Sequence, residues 1–354
     1  MRNKKVFQSI WMIALVVLLC ASQSGSVSAS INAWTLTGLA GHNIDALAID
    51  PKTPSTLYAG EAGGGIWKSL DRGHTWNPAN GHASSGTALP NGNFITITID
   101  PQTPTTLYEG AYYNHGIYKS TDGGENWHEI DNGITSHPYV SEIAIDPNNT
   151  SILYAITEFN GVFKSTDGGD HWNSANVGLT NFGGDYPVVI DSQTTSTLYV
   201  GTQSGVFKST DSGNHWNLAS TDLAGKWVVS LAIDPKTPNI LYAGEDPGGV
   251  YKSTDSGATW KLMGLSSEAI WSLAIDPQTP TTLYTGTFYN GVYKSTDGGK
   301  TWNLFNDGLP GSRYPTLSID PQTPTIIYSG DYQGNGKLYS IGSGFSIYLP
   351  LVIR

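Results

Sequence analysis

Residues 270–304 read IWSLAIDPQTPTTLYTGTFYNGVYKSTDGGKTWNL. Two phrases within this stretch recur along the chain. The first is Ile-Asp-Pro-x-Thr-Pro-x-x-Leu-Tyr, and the second is Ser-Thr-Asp-x-Gly-x-x-Trp. Repetition at a regular period is the sequence signature of solenoids, propellers and repeat arrays. The architecture therefore depends on what one unit forms and on how many units there are.

The first phrase occurs seven times and the second six times, with small changes, and each copy is marked by its aspartate. The aspartates of the first phrase are Asp50, Asp100, Asp146, Asp191, Asp234, Asp276 and Asp320. Those of the second phrase are Asp71, Asp122, Asp167, Asp211, Asp255 and Asp297. Successive copies of the first phrase lie 42–50 residues apart, a period that suits one small group of strands per unit.

The sequence pattern of each unit predicts four short strands. Residues 229–233 alternate large and small apolar side chains, as expected for a strand covered on both faces. The first phrase makes a turn, because proline fixes φ and the aspartate can cap the backbone. Leu-Tyr-x-Gly and Gly-Val-Tyr-Lys-Ser form the second and third strands, and the second phrase turns into the fourth. We predict an all-β fold, a single seven-bladed β-propeller of four-stranded blades.

The seventh unit is incomplete, and its missing strand is predicted at the other end of the chain. In this unit Ile341 and Gly342 follow Ser340 where the second phrase has Thr-Asp, and no tryptophan follows. Residues 33–39, which include Trp34, match the fourth strand of the other units. We expect this N-terminal strand to close the last blade, so that the ring resists opening. The propeller is predicted to cover residues 30–345.

Composition indicates a globular protein and argues against nucleic acid as a partner. The chain has 29 acidic and 18 basic residues among 354, for a net charge of −11. Phosphate binding requires concentrated lysine and arginine, which this balance does not supply. Aromatic residues make up 11% of the chain and provide ample apolar surface for a core.

Residues 1–29 are predicted to be a cleaved secretory signal peptide. A basic start precedes an apolar run over residues 10–20, and the segment ends Val27-Ser28-Ala29. The run is shorter than the ~20 residues that span a bilayer. A lipoprotein signal at Cys20 and a retained membrane anchor are the alternatives. Cleavage would leave a secreted or cell-surface chain with no membrane span and no cysteine, which excludes disulfides and cysteine-ligated metals.

The second phrase resembles the Asp-box, or BNR, repeat. This repeat occurs in sialidase-like propellers, two-propeller xyloglucan hydrolases, sortilin-type receptor ectodomains and the photosystem II assembly factor propeller. The resemblance covers nearly all of the chain after residue 29, and six regularly spaced copies make it specific for the propeller fold. It is not specific for an activity, because one fold hosts many functions.

The aspartates of the second phrase are predicted to be structural. Each carboxylate can accept hydrogen bonds from its own turn, glycine tolerates positive φ, and tryptophan fills the gap between sheets. The aspartates lie one per blade, too far apart to share an ion, so neither a metal site nor a cofactor is predicted. We expect the six lysines that precede this phrase to be solvated strand residues: Lys68, Lys119, Lys164, Lys208, Lys252 and Lys294.

Strand order predicts two unlike faces. One carries the turns of both phrases and is nearly identical from blade to blade. The other, which we call the variable face, carries the loops between strands 2 and 3 and those that lead into the next blade. Binding groups usually lie on such loops above a rigid scaffold. The ligand-binding residues predicted there are Tyr112, Tyr113, Phe159, Trp227, Trp271, Phe288, Tyr289, Arg313, Tyr314 and Tyr332.

Catalysis receives only weak support. A glycosidase needs two carboxyl groups about 5–9.5 Å apart. Glu61 and Asp331 hold equivalent positions in neighbouring blades, and Glu245 is a third acid at that position. Position alone supports these candidates, so no catalytic residue is assigned. Sialidase activity is argued against because that family binds a sugar carboxylate with three arginines, and only Arg313 is available on the variable face.

These observations favour a monomeric, non-enzymatic propeller, secreted or surface-attached, that binds a glycan or a protein through its variable face. The alternatives are a glycoside hydrolase or lyase of the Asp-box type, a structural envelope protein, and a face whose aromatics bind no ligand. The apolar tail, residues 346–354, resembles endings of some secreted bacterial proteins. It suggests either sorting to the surface or a strand packed on the last blade.

Overall fold

The computed structural model describes residues 33–81, 89, 94–111, 116–134, 139–180, 184, 186–310, 316–331 and 337–342. The predicted leader and the apolar tail lie outside these residues. The regular structure of the described part consists of 28 strands in seven antiparallel sheets of four. This part of the chain contains no helix with the length and apolar character needed to cross a bilayer.

Each sheet is one blade, and its strands follow one another in sequence from the centre outward in blades 1 to 6. Blade 1 comprises β2–β5: Ile44–Ile49, Leu57–Glu61, Gly65–Ser69 and Asn77–Pro78. Blade 2 comprises β6–β9: Phe94–Ile99, Leu107–Ala111, Ile117–Ser120 and His128–Glu129. Blade 3 comprises β10–β13: Val140–Ile145, Leu153–Thr157, Gly161–Ser165 and Asn173–Ser174.

The remaining blades follow the same plan. Blade 4 comprises β14–β17: Val188–Ile190, Leu198–Thr202, Gly205–Ser209 and Asn217–Leu218. Blade 5 comprises β18–β21: Val228–Ile233, Leu241–Glu245, Gly249–Ser253 and Lys261–Gly264. Blade 6 comprises β22–β25: Ile270–Ile275, Leu283–Thr287, Gly291–Ser295 and Asn303–Leu304. Blade 7 comprises β26–β28 and β1: Thr316–Ile319, Ile327–Asp331, Lys337–Ile341 and Thr35–Gly38.

The first strands of the blades meet around the centre of the ring. Ser230 Oγ in blade 5 donates to the carbonyl of Ile270 in blade 6 at 2.7 Å. Ser318 Oγ in blade 7 donates to the carbonyl of Leu47 in blade 1 at 3.2 Å, which joins the last blade to the first. The prediction of an all-β, seven-bladed propeller is therefore confirmed.

The N-terminal strand closes blade 7 as predicted. Strand β1 pairs antiparallel with β28, and Thr35 lies opposite Ser340. Trp34 is 3% exposed, and its Nε1 donates to the carbonyl of Phe305 at 2.7 Å. Gly308, at φ +86°, passes so close that a Cβ there would lie 2.2 Å from the Trp34 carbonyl. The closing strand is thus held by its own sheet and by the chain leaving blade 6.

The register of β28 differs from the sequence alignment by one residue. Tyr328 lies opposite Ser340, whereas the equivalent Tyr58 in blade 1 lies opposite Lys68. Ser340 therefore replaces the lysine of the third strand, and Ile341 replaces the serine that opens the second phrase. The sequence alignment, which placed Ser340 opposite the serine of the second phrase, was wrong. It relied on a serine found in both units and disregarded the alternation of side chains along the strand.

The hydrophobic core lies between the blades. Tyr58 of blade 1 packs with Ile97, Leu107 and Trp127 of blade 2. The clusters around Tyr108, Tyr154 and Tyr199 are built in the same way across the next three blade pairs. Burial of a large apolar side chain contributes about 1.5–3 kcal/mol, so each blade is stabilised mainly by its neighbours.

Each second phrase forms the same hydrogen-bonded turn. In blade 5 the Ser253 hydroxyl donates to Asp255 Oδ1 at 2.8 Å. Asp255 also accepts the backbone N–H and the hydroxyl of Thr259, at 2.9 and 2.6 Å. These bonds from Thr259 lower the pKa of Asp255 to about 2. The carboxylate is fully engaged by its own turn, and the other five copies repeat this arrangement.

The expectation that the six lysines are solvated was wrong. In five blades the ammonium group donates to a carbonyl of the next blade at 2.8–3.1 Å. The carbonyl belongs to the residue after the second-phrase aspartate, such as Ser256, which has φ +59°. Lys208 donates to it while lying 5.3 Å above the Tyr199 ring, and burial lowers the pKa of Lys208. In blade 6, Lys294 lies over Tyr284 and Phe305.

These lysines are expected to stabilise the blade interfaces. Lys208→Ala removes one hydrogen bond and one cation–π contact, so the free energy of unfolding should fall by about 1–2 kcal/mol. Lys261→Ala, at an exposed lysine of β21, should change it by less than about 0.5 kcal/mol. Urea unfolding of both variants measures the difference. Equal effects of the two substitutions would contradict the interblade role.

A closed circle of hydrogen bonds joins the seven turns that the first phrase forms. The residue two positions after each aspartate donates its side chain to a backbone carbonyl in the next blade. Gln322 in blade 7 completes the circle by donating to the carbonyl of Lys52 in blade 1 at 3.1 Å. The seven donors are Lys52, Gln102, Asn148, Gln193, Lys236, Gln278 and Gln322.

Candidate ligand-binding face

The variable face differs from blade to blade in the turns between strands 2 and 3. In blades 1, 3, 5 and 6 this turn has three residues between the paired strand ends. The central residue is Gly63 in blade 1, Phe159 in blade 3, Pro247 in blade 5 and Tyr289 in blade 6. A common backbone scaffold therefore carries a different residue at the centre of the turn in each of these four blades, on loops of the kind where binding residues concentrate.

Four of the ten predicted ligand-binding residues form one aromatic cluster. Trp227 and Trp271 pack edge to face with ring centroids 6.4 Å apart. Trp271 lies 6.1 Å from Phe288, and Phe288 lies 4.1 Å from Tyr289. The rings come from three separate segments of blades 5 and 6, so the fold assembles the cluster from distant parts of the sequence.

The backbone positions each member of this cluster. Trp227 directly precedes β18, and its carbonyl accepts the N–H of Asp246 at 3.0 Å. Trp271 lies in a β-bulge, because the register of β22 shifts between Ile270 and Ser272, and bulges redirect side chains. The N–H of Phe288 donates to the carbonyl of Ala269 at 3.1 Å. The cluster therefore rests on paired strand ends and their turns.

Phe159 lies apart from the cluster, on blade 3. Its side chain is 68% exposed, and that of Tyr289 is 65% exposed. Both are large exposed aromatic side chains at the centre of a strand 2–3 turn. Two exposed rings at equivalent positions in blades 3 and 6 lie on opposite sides of the ring of blades.

The remaining predicted ligand-binding residues lie outside the described part of the chain. They are Tyr112, Tyr113, Arg313, Tyr314 and Tyr332. Their assignment as ligand-binding residues stays a prediction.

The three candidate catalytic acids hold contacts within the protein. Glu61 Oε2 accepts the indole N–H of Trp67 at 2.8 Å, and its Oε1 lies 2.8 Å from His42 Nδ1. Both carboxyl oxygens of Glu245 accept hydrogen bonds from Lys226 at 2.9 Å. Asp331 is buried.

Two further carboxyl groups stand out near this face. Glu142 Oε2 accepts the N–H of Val188 in the next blade at 3.0 Å, and burial raises the pKa of Glu142 to about 7. Both oxygens of Glu268 accept hydrogen bonds from the Asn290 amide at 2.9 Å. Within the described residues no group of three or more His, Cys, Asp or Glu side chains is placed to hold a metal ion.

The fold and this face define a class of protein, a single propeller with one repetitive and one asymmetric face. A model of the Sortilin-Vps10 family, described as sortilin and neurotensin receptor 3, matches residues 115–241 and again residues 204–340. Together the two matches span more than half of the chain. The chain therefore belongs to the Sortilin-Vps10 family. A search of curated protein sequences found no match.

Solved structures share the fold at low sequence identity. The GH74 xyloglucanase from Xanthomonas campestris is 18% identical with a TM-score of 0.68, over 87% of this chain and 53% of that one. The GH74 enzyme of Niastella koreensis is 22% identical with a TM-score of 0.69, over the same shares. This chain thus spans about half the length of these enzymes. YCF48 bound to D1 peptide is 17% identical with a TM-score of 0.65, over 88% and 97%.

Proposed function

We propose that this chain is a secreted or surface-attached, non-enzymatic binding module whose ligand contacts the aromatic cluster of Trp227, Trp271, Phe288 and Tyr289. The observation that carries the proposal is the convergence of these rings from three segments on one partly exposed surface. Aromatic anchors supply most of the binding energy at many interfaces. The leader predicted over residues 1–29 supports an extracellular ligand.

The hydrogen bonds and the burial of the three candidate catalytic acids support a binding function over hydrolysis. A glycosidase acid and its partner must both reach the substrate across the cleaved bond. Here Glu245 is held by Lys226, Glu61 is held by Trp67, and Asp331 is buried. Among the structural neighbours, a GH74 protein is called a xyloglucanase and YCF48 is described with a bound peptide. Those names suggest a glycan or a peptide as the ligand to test first.

Phe288→Ala is expected to weaken ligand binding at least about tenfold, which corresponds to ~1.4 kcal/mol. Phe288 joins Trp271 to Tyr289 within the cluster. Binding is measured by calorimetry against the strongest binder from a panel of soluble polysaccharides and phage-selected peptides. Leu304→Ala, at an exposed leucine on the outer strand of the same blade, is the matched control and should leave affinity unchanged.

The same panel tests for turnover. The proposal expects no release of reducing ends from any polysaccharide. Release of reducing ends that is lost in Glu61→Gln or Asp331→Asn would overturn it in favour of a glycoside hydrolase. A folded wild-type protein that binds no member of the panel would also contradict it.

A further inference from the structure

Two turns of the variable face share one rigid construction. Strand β11 ends at Thr157, β23 ends at Thr287, and three residues separate each end from the glycine that starts the third strand. These glycines, Gly161 and Gly291, have φ of +77° and +74°. Three-residue hairpins of this kind need a residue that tolerates positive φ at that position. The central residues of the two turns are Phe159 and Tyr289.

The side chain of an asparagine braces each of these turns by hydrogen bonds to its backbone. Asn306 Nδ2 donates to the carbonyl of Asn290, and Asn306 Oδ1 accepts the N–H of Val292, both at 2.7 Å. Asn176 makes the same two bonds in blade 3, to Asn160 and Val162, also at 2.7 Å. The amide thus fixes the backbone on both sides of the glycine that starts the third strand, directly after the turn that carries the exposed ring.

The strand 2 threonine adds a second brace. Thr157 Oγ1 donates to the carbonyl of Gly161 at 2.9 Å. Thr287 Oγ1 donates to the carbonyl of Gly291 at 3.1 Å. An exposed ring on a braced turn loses little conformational entropy on binding, so it gives more affinity than the same ring on a flexible loop.

Polar side chains around these rings already have partners within the protein. Glu268 is bonded to Asn290, which directly follows Tyr289. The Thr157 hydroxyl is bonded to Gly161. A sugar carries many hydroxyl groups that lose hydrogen bonds to water on binding and need matching groups in the site. Exposed rings beside polar groups that are already bonded suit apolar side chains better than sugar hydroxyls.

The variable face is also acidic. Its described strand 2–3 turns and first-strand entries contain eight carboxyl groups and two lysines, Lys226 and Lys337. The carboxyl groups are Asp45, Glu61, Glu142, Glu158, Asp246 and Glu268, which are partly exposed, and Glu245 and Asp331, which are buried. The whole chain has a net charge of −11. Complementary charge steers partners and selects among them, so basic residues are expected to accompany the apolar ones in the ligand.

We infer that the ligand is a protein segment carrying apolar and basic side chains, which lies across the mouth of the ring and contacts Phe159 on one side and Tyr289 on the other. This inference rests on the proposed function and makes its ligand specific. The two braced turns are its anchors, and the aromatic cluster adjoins the second of them.

The inference is tested with peptides selected from a random-peptide phage library on the immobilised wild-type protein. Selected peptides should be enriched in aromatic or aliphatic residues together with Lys and Arg. The affinity of one synthesised selected peptide should fall at least about tenfold in Phe159→Ala and in Tyr289→Ala. Leu262→Ala, at an exposed leucine of β21, should leave that affinity unchanged. The affinity should also fall as salt increases.

The braces provide a second, matched comparison. Asn176→Ala and Asn306→Ala should weaken the same peptide severalfold, although neither asparagine carries an exposed ring. Asn80 makes an equivalent bond to the N–H of Ile66 in blade 1, where the central turn residue is Gly63. Asn80→Ala should therefore leave peptide affinity unchanged, which separates loss of an anchor from general destabilisation.

Each result decides between stated alternatives. Peptides that bind equally well to the wild type, Phe159→Ala and Tyr289→Ala would overturn the inference. Binding of a polysaccharide that is sensitive to Phe288→Ala, without selection of any peptide, would also overturn it but would leave the proposed function standing. No binding of either class to the folded wild type would contradict both.

Discussion

Trp34→Ala is expected to lower the free energy of unfolding by about 3–5 kcal/mol, the usual range for a large aromatic side chain removed from a core. Trp34 begins the strand that closes blade 7, and it is buried with Tyr284, Ile327 and Tyr339. Its indole N–H donates to the carbonyl of Phe305, and its backbone N–H donates to that of Asp307, both at 2.7 Å. The substitution removes the indole bond and leaves a cavity between blades 6 and 7.

Loss of Trp34 is also expected to weaken closure of the ring by the N-terminal strand. When β1 leaves β28, the outer edge of blade 7 is exposed and the ring loses the hydrogen-bonded strand pairing that joins its two ends. Urea unfolding measures the loss. Leu36→Ala, on the same strand with 51% exposure, should change stability by less than about 0.5 kcal/mol. A loss in Trp34→Ala as small as that expected for Leu36→Ala would show that Trp34 is dispensable for closure.

The repeats made the fold predictable. Seven copies of one turn phrase specify the number of blades, and the match of residues 33–39 to a fourth strand specifies the closure. The register of β28 could not be read in the same way. Ser340 matches the serine of the second phrase by type but occupies the lysine position, and only the hydrogen-bonded ladder distinguishes the two alignments.

The lysines of the third strands show a different limit of prediction from sequence. Lys208 lies on a third strand whose side chains alternate, which predicts exposure for a charged residue. Its ammonium nitrogen lies 5.3 Å above the Tyr199 ring and donates to the carbonyl of Ser256, a residue with positive φ. That carbonyl belongs to another blade, so no pattern within one unit indicates the contact.

The candidate site was partly predictable. Loop position alone selected Trp227, Trp271, Phe288 and Tyr289, but their contact depends on the β-bulge at Trp271 and on the packing of blade 5 against blade 6. The bracing asparagines were missed. A signal for them exists, because Asn80, Asn176 and Asn306 each follow a second-phrase tryptophan by four residues.

Glu109→Gln is expected to remove a pH dependence of stability that the wild-type protein shows as the pH rises above the ordinary pKa of a glutamate. Glu109 lies on β7 between Ile97 and Tyr118 of the flanking strands. It is fully buried, and neither carboxyl oxygen has a hydrogen-bond partner among the described residues. Equivalent positions in other blades hold residues such as Ala59 and Ala155. Burial raises the pKa of Glu109 well above its ordinary value of 4.5.

The sign of the effect follows from proton uptake. Between the unfolded and folded pKa values of Glu109, the native state holds a proton that the unfolded state has lost. The free energy of unfolding therefore falls by about 1.4 kcal/mol for each pH unit in this interval. Because glutamine does not titrate, Glu109→Gln should gain about 1.4 kcal/mol over the wild type for each pH unit of this interval.

The comparison of wild type with Glu109→Gln isolates the titration of Glu109, because all other titrating groups are present in both proteins. Burial also raises the pKa of Glu142, to about 7, which adds a fall of the same sign to wild type and variant alike. Glu129→Gln, at an exposed acid on β9 of the same blade, is the matched control and should give a curve parallel to the wild type. Urea unfolding at several pH values measures all three proteins. A Glu109→Gln curve parallel to the wild type would mean that Glu109 keeps its charge in the folded protein, and that the interface between blades 1 and 2 solvates it.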